Sequence, residues 1–317
     1  MTRLIVSRIG TGALTIVLVS LLVFASVATF KADSAQVILG KAAAAQPELV
    51  TQLREKLYLN HPLPVRYVHW ASGFLQGNLG ISAASLTPVS SVVKLPFVNT
   101  LTLAGISFAV LLPLSILIGT FSAIKRYGKF DTVTGITTII FSGLPEFVTG
   151  IWLVLILALW LHVLPATSLF NPGDYAFQHP RELVLPVLTL VSVSLAYNVR
   201  LVRGIVLETL DREFVDMLRM KGVPERAIVW RHVVPNSLVA TIQISALGVV
   251  YLLSGVVVTE YLYNYPGIGT VLASAVANRD TPLIQAIVLV VSAAYIIANL
   301  IAEILTVLVT PRLRTSL

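Results

Sequence analysis

The sequence predicts an all-α, polytopic membrane protein of six transmembrane helices, with a small external helical cap between the first and second. Three observations predict it: an apolar composition, six apolar runs of spanning length, and basic residues gathered in alternate loops. Hydrophobic residues make up 56% of the chain and charged residues 12%, and mean hydropathy is +0.87. A soluble globule of 317 residues would need a polar surface that 22 basic and 15 acidic residues barely supply, whereas lipid-facing helices need very little.

The six runs are Ile9–Phe30, Phe97–Ile124, Val133–Leu161, Leu183–Val206, Leu238–Tyr261 and Ile284–Val309. Each meets the roughly 20 residues that a helix needs to cross a hydrocarbon core about 30 Å thick. Arg3 and Arg8 precede the first run and Ser26-Val27-Ala28 has cleavage-like spacing. The run is nevertheless longer than a signal-peptide apolar region, so a retained anchor is expected.

Orientation follows from the excess of Lys and Arg on the cytoplasmic side. With both termini inside, that side holds two basic residues before the first run and three between the second and third. Five more lie between the fourth and fifth runs, Arg200 and Arg203 lie in the last two turns of the fourth, and two are in the tail, which makes 14 of 22. The formal charge of +7 is therefore dispersed between apolar runs, which excludes the basic stripe of a nucleic-acid binder. The absence of Cys excludes disulfides, thiol catalysis and cysteine metal ligation.

The external segment, 31–95, is read as a small ordered cap. Pro47 to Leu57 has the apolar spacing of a short amphipathic helix. His61-Pro62-Leu63-Pro64 predicts extended backbone, after which Tyr67, Trp70 and Phe74 recur at helical spacing, and Gly73, Gly77 and Gly80 permit tight turns.

The loop 208–236 reads as helix, break, helix. Glu208 and Arg212, Arg212 and Asp216, and Asp216 and Arg219 form a ladder of opposite charges, which predicts that the fourth run extends into the cytoplasm. Gly222 suits the left-handed residue that closes a helix, and Lys221 complements the negative helix end. Pro224 suits the first turn of the next helix and Glu225 its positive end. Phe214, Val215, Met217, Leu218, Met220 and Val223 place apolar side chains on a loop facing water, as a partner surface would. An ordinary solvated loop with good caps is the plainer alternative.

This loop resembles that of binding-protein-dependent ABC importer permeases, in particular the peptide and nickel branch. The match runs from Gly222 through Arg231-His232 to Pro235-Asn236, although Leu218 and Met220 stand where small alanines are usual. Two further segments are similar to the same branch. One runs from Glu260 through Tyr265-Pro266-Gly267-Ile268-Gly269 to Asn278-Arg279-Asp280-Thr281-Pro282. The other joins Leu63-Pro64-Val65-Arg66-Tyr67 to Gly77-Asn78-Leu79-Gly80-Ile81-Ser82, with Asn78 where Asp is commoner.

The resemblance implies the type I ABC importer permease fold, divided as 1–30 (cytoplasmic N-terminus and first helix), 31–95 (external cap), 96–310 (permease core) and 311–317 (cytoplasmic tail). It implies that the chain forms half of a pathway for peptides or a similar small solute, and is not itself an enzyme. Its implied partners are a second homologous permease subunit, two ABC ATPase subunits and an external solute-binding protein, all in or at the bacterial inner membrane. The coupling residues would be Phe214, Met217, Leu218, Arg219, Lys221, Gly222, Val223, Pro224, Glu225 and Arg226. No G-x-x-x-x-G-K-[ST] run occurs. ATP and Mg would therefore be bound by the ATPase subunits, leaving this chain without a cofactor.

Charges within spans are costly and point to pairing or function. Glu146 follows Pro145 in the third run, where a loosened helix would line the pathway, attract a substrate amine or pair with a partner chain. Glu303 lies in the sixth run. Asn198, Gln243 and Ser245 either hold helices together or touch the solute. Glu260, Pro266, Gly267, Gly269, Arg279 and Asp280 are read as contacts to the external receptor or as structural anchors. The five His residues are scattered, which argues against a metal site. An ion-gradient transporter using Glu146 or Glu303 is the competing reading, but it lacks an internal repeat and leaves the 208–236 loop without a role.

Overall fold

The computed structural model describes residues 2–28, 47–56, 60–171 and 173–309. The tail 311–317 and part of the 31–95 segment lie outside the described residues. Among those described, all regular structure is helical apart from one isolated bridge between Ile81 and Pro88. In chain order the helices are α1 (Thr2–Ala28), α2 (Pro47–Lys56), α3 (Leu63–Leu75), α4 (Val89–Ile124), α5 (Lys129–Gly143), α6 (Glu146–Leu153), α7 (Pro180–Leu210), α8 (Glu213–Met220), α9 (Glu225–Ile228), α10 (Val234–Tyr263), α11 (Ile268–Ala277) and α12 (Thr281–Val309). Two π-helical stretches, Val154–Trp160 and Val229–Val233, follow α6 and α9.

Among the described residues, four spans are long and apolar enough to cross a membrane: Ser7–Val27 of α1, all of α4, all of α7, and Thr281–Ile301 of α12. The 30-residue α10 coincides with the fifth expected crossing and is about 45 Å long at the ideal rise.

The third expected crossing is not a straight helix. It divides into Lys129–Gly143 and Glu146–Trp160, bent by 109°. Pro145 removes a backbone donor and disfavours helical geometry at the residue before it. Leu144 is accordingly extended at φ −91°, ψ 131°, and Pro145 becomes the cap of α6.

Two compact units are present. Of the described residues, those within 6–100 and 266–296 make up one, and those within 2–5, 101–265 and 297–309 the other. In the first, Val27, Val89, Val93, Ile268, Ala275, Leu283, Ile284 and Ile287 form a buried cluster that joins α1, α4, α11 and α12. Phe24 of α1 meets Tyr67 and Trp70 of α3 with ring centroids 5.5 and 5.7 Å apart. The helical spacing expected of Tyr67, Trp70 and Phe74 is present, but helix begins earlier than anticipated. Pro62 is extended, but Leu63 and Pro64 already lie in the first turn of α3, where a missing N–H costs nothing. Gly73 is helical, whereas Gly77 and Gly80 take φ of +81° and +87°.

In the second unit α10 packs along α7. Leu103, Leu111, Leu183, Val187, Leu190, Val191, Val256 and Tyr265 are buried together. Pro186 lies inside α7 and cannot donate to the carbonyl of Glu182. The hydroxyl of Ser168 donates to that carbonyl instead, at 2.6 Å, while the Ser168 N–H donates to Tyr263 O at 2.8 Å. The proline thus opens an acceptor that ties the 161–179 connection to α7.

Candidate functional site

The 208–236 loop is built from short local bonds. α7 ends at Leu210, and Arg212, extended at φ −81° and ψ 145°, caps the separate helix α8. The predicted ladder is therefore interrupted. Arg212 pairs with Glu208 at 3.0 Å and Arg219 with Asp216 at 3.1 Å, but the chain turns at Asp211 and Arg212, between them. Gly222 occupies the left-handed region at φ +73° with open space around its missing side chain. Its N–H donates to Arg219 O at 2.9 Å, and the N–H of Val223 donates to Leu218 O at 3.1 Å. This pair of bonds closes α8 and satisfies carbonyls that the helix leaves unused. Pro224, expected in the first turn of the next helix, is its cap, because its ψ of 140° is extended.

Arg219 also reaches across the Gly222 turn to Glu225 at 2.6 Å. The Glu225 hydrogen bond raises the guanidinium pKa further above its ordinary value. Glu225 thus ties α9 to α8 as well as standing at a positive helix end.

Burial divides the apolar residues of the loop. Val215 is fully buried with Ala123, Val202, Val206, Ile228 and Val233, and Phe214, Leu218 and Val223 pack against that cluster. Only Met217 and Met220 are strongly exposed, at 50% and 82%. Of the six expected at a partner surface, Val215 is buried, Phe214, Leu218 and Val223 are half-buried, and Met217 and Met220 are exposed. Val215 and these three half-buried residues pack the loop against α4, α7 and the π-helical stretch before α10.

Beside the loop lies a charge cluster that the sequence reading missed. Arg203 of α7 grips Asp131 of α5 through both carboxylate oxygens, at 2.6 and 2.8 Å. Asp131 also accepts from the Ser122 hydroxyl at 2.5 Å and the Tyr127 N–H at 3.1 Å. A bidentate guanidinium with two further donors fixes the α4–α5 connection to α7. The available signal was Arg203 itself, an unpaired charge within a predicted span.

Glu146, at the start of α6, accepts a hydrogen bond from Thr259 of α10. Its carboxylate fills the space left by the missing side chain of Gly255. One turn on, Gly150 faces Thr189 and Leu262 with no room for a Cβ, and its carbonyl accepts from the Tyr263 hydroxyl at 3.2 Å. The bent pair is thereby locked against α7 and α10. Asn198 is buried and donates to Ser194 O of its own helix at 2.8 Å. The side chain of Gln243 lies outside the described residues. Glu303 is half-buried on α12.

The expected external set separates by burial. Glu260 and Asp280 are fully buried, Gly267 and Gly269 are buried, Pro266 is half-buried and Arg279 is exposed. Asp280 accepts hydrogen bonds from the Ser82 hydroxyl, from Ala83 N–H at 3.0 Å, from Ala84 N–H at 3.2 Å and from Leu283 N–H at 3.3 Å. It both caps α12 and holds the turn after Gly80. Two motifs almost two hundred residues apart in sequence thus form one junction. The Pro266 carbonyl accepts from Asn99 at 3.1 Å, and Tyr265 N–H donates to Glu260 O at 2.8 Å. Glu260, Gly267, Gly269 and Asp280 are thus buried within the chain itself, and Arg279 is the exposed member of the set.

Residues 115–315 match the model of the binding-protein-dependent transport system inner membrane component, and residues 1–101 match the N-terminal model of the same membrane component. The chain belongs to this family. It is 32% identical over 315 residues to a probable peptide ABC transporter permease protein of Sinorhizobium fredii, covering 98% of both chains. It is 33% identical over 304 residues to a glutathione transport system permease protein of Pectobacterium atrosepticum, covering 95% of both. A metal-staphylopine import system permease protein of Staphylococcus aureus is 32% identical over 269 residues, 84% of this chain and 83% of that one. The chain is therefore a membrane-embedded permease component of an ABC importer, with the type I permease fold.

Proposed function

We propose that this chain forms half of the translocation pathway for peptides or a similar small solute. It would pair with a second homologous permease, bind two ABC ATPases on the cytoplasmic side, and receive solute from an external binding protein. The distribution of basic residues supports an orientation with both termini in the cytoplasm. The relatives named for peptide and glutathione transport support the solute class.

One observation carries the coupling role. α8 is closed at both ends and keyed inward through Val215, yet leaves Met217 and Met220 uncovered beside Arg219 and Lys221. Methionine is adaptable at protein interfaces, and a rigid helix rooted on α4, α7 and the π-helical stretch before α10 would pass an ATPase displacement to those helices. ATP binding and hydrolysis, with Mg, would take place in the ATPase subunits. The test is ATP-driven uptake in proteoliposomes with ATPase copurification. Met220→Glu should release the ATPase and abolish uptake while the chain still inserts. Uptake that persists without ATP and collapses with an uncoupler would instead assign transport to an ion gradient.

A further inference from the structure

We infer that α3, the second helix of the external cap, is seated in the outer leaflet of the bilayer with its far face against lipid. The external side is that of the proposed orientation, while the depth stands apart from it.

α3 is fastened to a membrane-spanning helix, and at membrane depth. The Tyr67 hydroxyl of α3 hydrogen bonds with that of Ser20 at 2.8 Å, and Phe24 lies between Tyr67 and Trp70. Ser20 is eight residues inside the end of α1 at Ala28, about 12 Å along the axis. The rings of Tyr67 and Trp70 therefore lie alongside the outer half of a helix whose other faces expose Leu14, Val17, Leu18, Leu21 and Leu22. Those leucines and valines need hydrocarbon around them, and a helix packed at the same level shares that surrounding.

Away from the rings α3 exposes mainly apolar side chains, interrupted by His69 and Ser72. Val65, Val68 and Leu75 are 46%, 64% and 87% exposed, and no residue of α3 is buried. A helix with rings on one face and mainly aliphatic side chains on the other, broken only by one His and one Ser, suits the interface between headgroups and acyl chains better than water. Charge agrees with this. From Leu57 to Val93 the only charged residue is Arg66, whereas α2, just before, carries Glu48, Arg54, Glu55 and Lys56. Trp and Tyr are the side chains enriched at this depth. The lipid occupant is thus favoured over a protein one by the lack of charge and by continuity with the lipid-facing flank of α1.

The chain contains no Cys, so single thiols report cleanly. Val68→Cys and Leu75→Cys, labelled with a small fluorophore, would be compared in nanodiscs with Leu21→Cys as the lipid standard and Glu208→Cys as the water standard. Brominated phospholipid should quench both α3 labels to the extent seen for Leu21→Cys, and aqueous iodide should leave them nearly untouched. Iodide quenching equal to that of Glu208→Cys would overturn the inference. So would protection from both quenchers that disappears when a copurified binding protein is washed away, an outcome that assigns the face to that protein. Neither result bears on ATP-driven uptake, so the importer reading is tested separately.

Discussion

The exposed turn at Gly222 and the buried junction at Asp280 close helices in the same way but differ in reach. Each ends a short helix with a left-handed residue, Gly222 at φ +73° and Arg279 at φ +54°. Each is followed by a residue donating back over five positions, Val223 to Leu218 and Asp280 to Ala275. Beyond that the two diverge. The side-chain pairs of the Gly222 turn reach residues three and six positions away, and the helix it closes leaves two methionines open. Asp280 takes donors from Ser82, Ala83 and Ala84, 196 to 198 positions distant, and is inaccessible. A turn built from near neighbours can move as a body against a partner. A carboxylate shared by distant segments is suited to hold them still.

The comparison can be broken at four points. The largest effect is expected at Asp280→Ala, which strands a hydroxyl and several buried N–H groups, a loss of about 3–5 kcal/mol for breaking a buried charged network. It should be read as lower thermal stability in detergent, with Asp280→Asn retaining part of it. Unchanged stability would mean that the junction is not structural.

Asp131→Ala is next. It leaves the Arg203 guanidinium without its bidentate partner and should cost about 1.5–3 kcal/mol. Proteolysis of the 125–130 connection should accelerate, while Asp131→Glu recovers some protection.

Gly222→Val places a β-branched side chain at positive φ, for about 1–2 kcal/mol of local strain. Melting should fall far less than for Asp280→Ala, because no neighbour lies within 4 Å of the added Cβ and only the backbone strain is felt, but ATP-driven uptake should fall steeply. The opposite pattern, a fall in melting as large as for Asp280→Ala with normal uptake, would erase the contrast with Asp280. The smallest effect is expected at Glu208→Gln, which removes an exposed pair worth about 0.3–0.5 kcal/mol and should leave both melting and uptake unchanged.

Fold class was legible in the sequence because hydrocarbon leaves no choice. Apolar runs of spanning length must become helices, since the bilayer core offers no partner for free backbone groups. The Gly222 turn was legible because its bonds are local. Position 146 was flagged as a charge in a span, yet its setting was not. That Pro145 bends the pair by 109° and that Thr259 and Gly255 receive the carboxylate depend on helices separated by a hundred residues of chain. Arg203 and Asp131 escaped notice for the same reason, since no spacing relates positions 72 apart.

By itself, then, the sequence determined the long apolar helices apart from the broken third crossing, the turn that closes α8 and the family to which the chain belongs. Periodicity, proline and glycine act within a few residues and leave a mark in the order of side chains. Only the tertiary structure decided which face of α8 stays open, which carboxylates are buried and that residues 266–296 fold with 6–100. Those outcomes turn on which distant donors reach a buried acceptor and which apolar side chains exclude water together, and these are properties of packing in space.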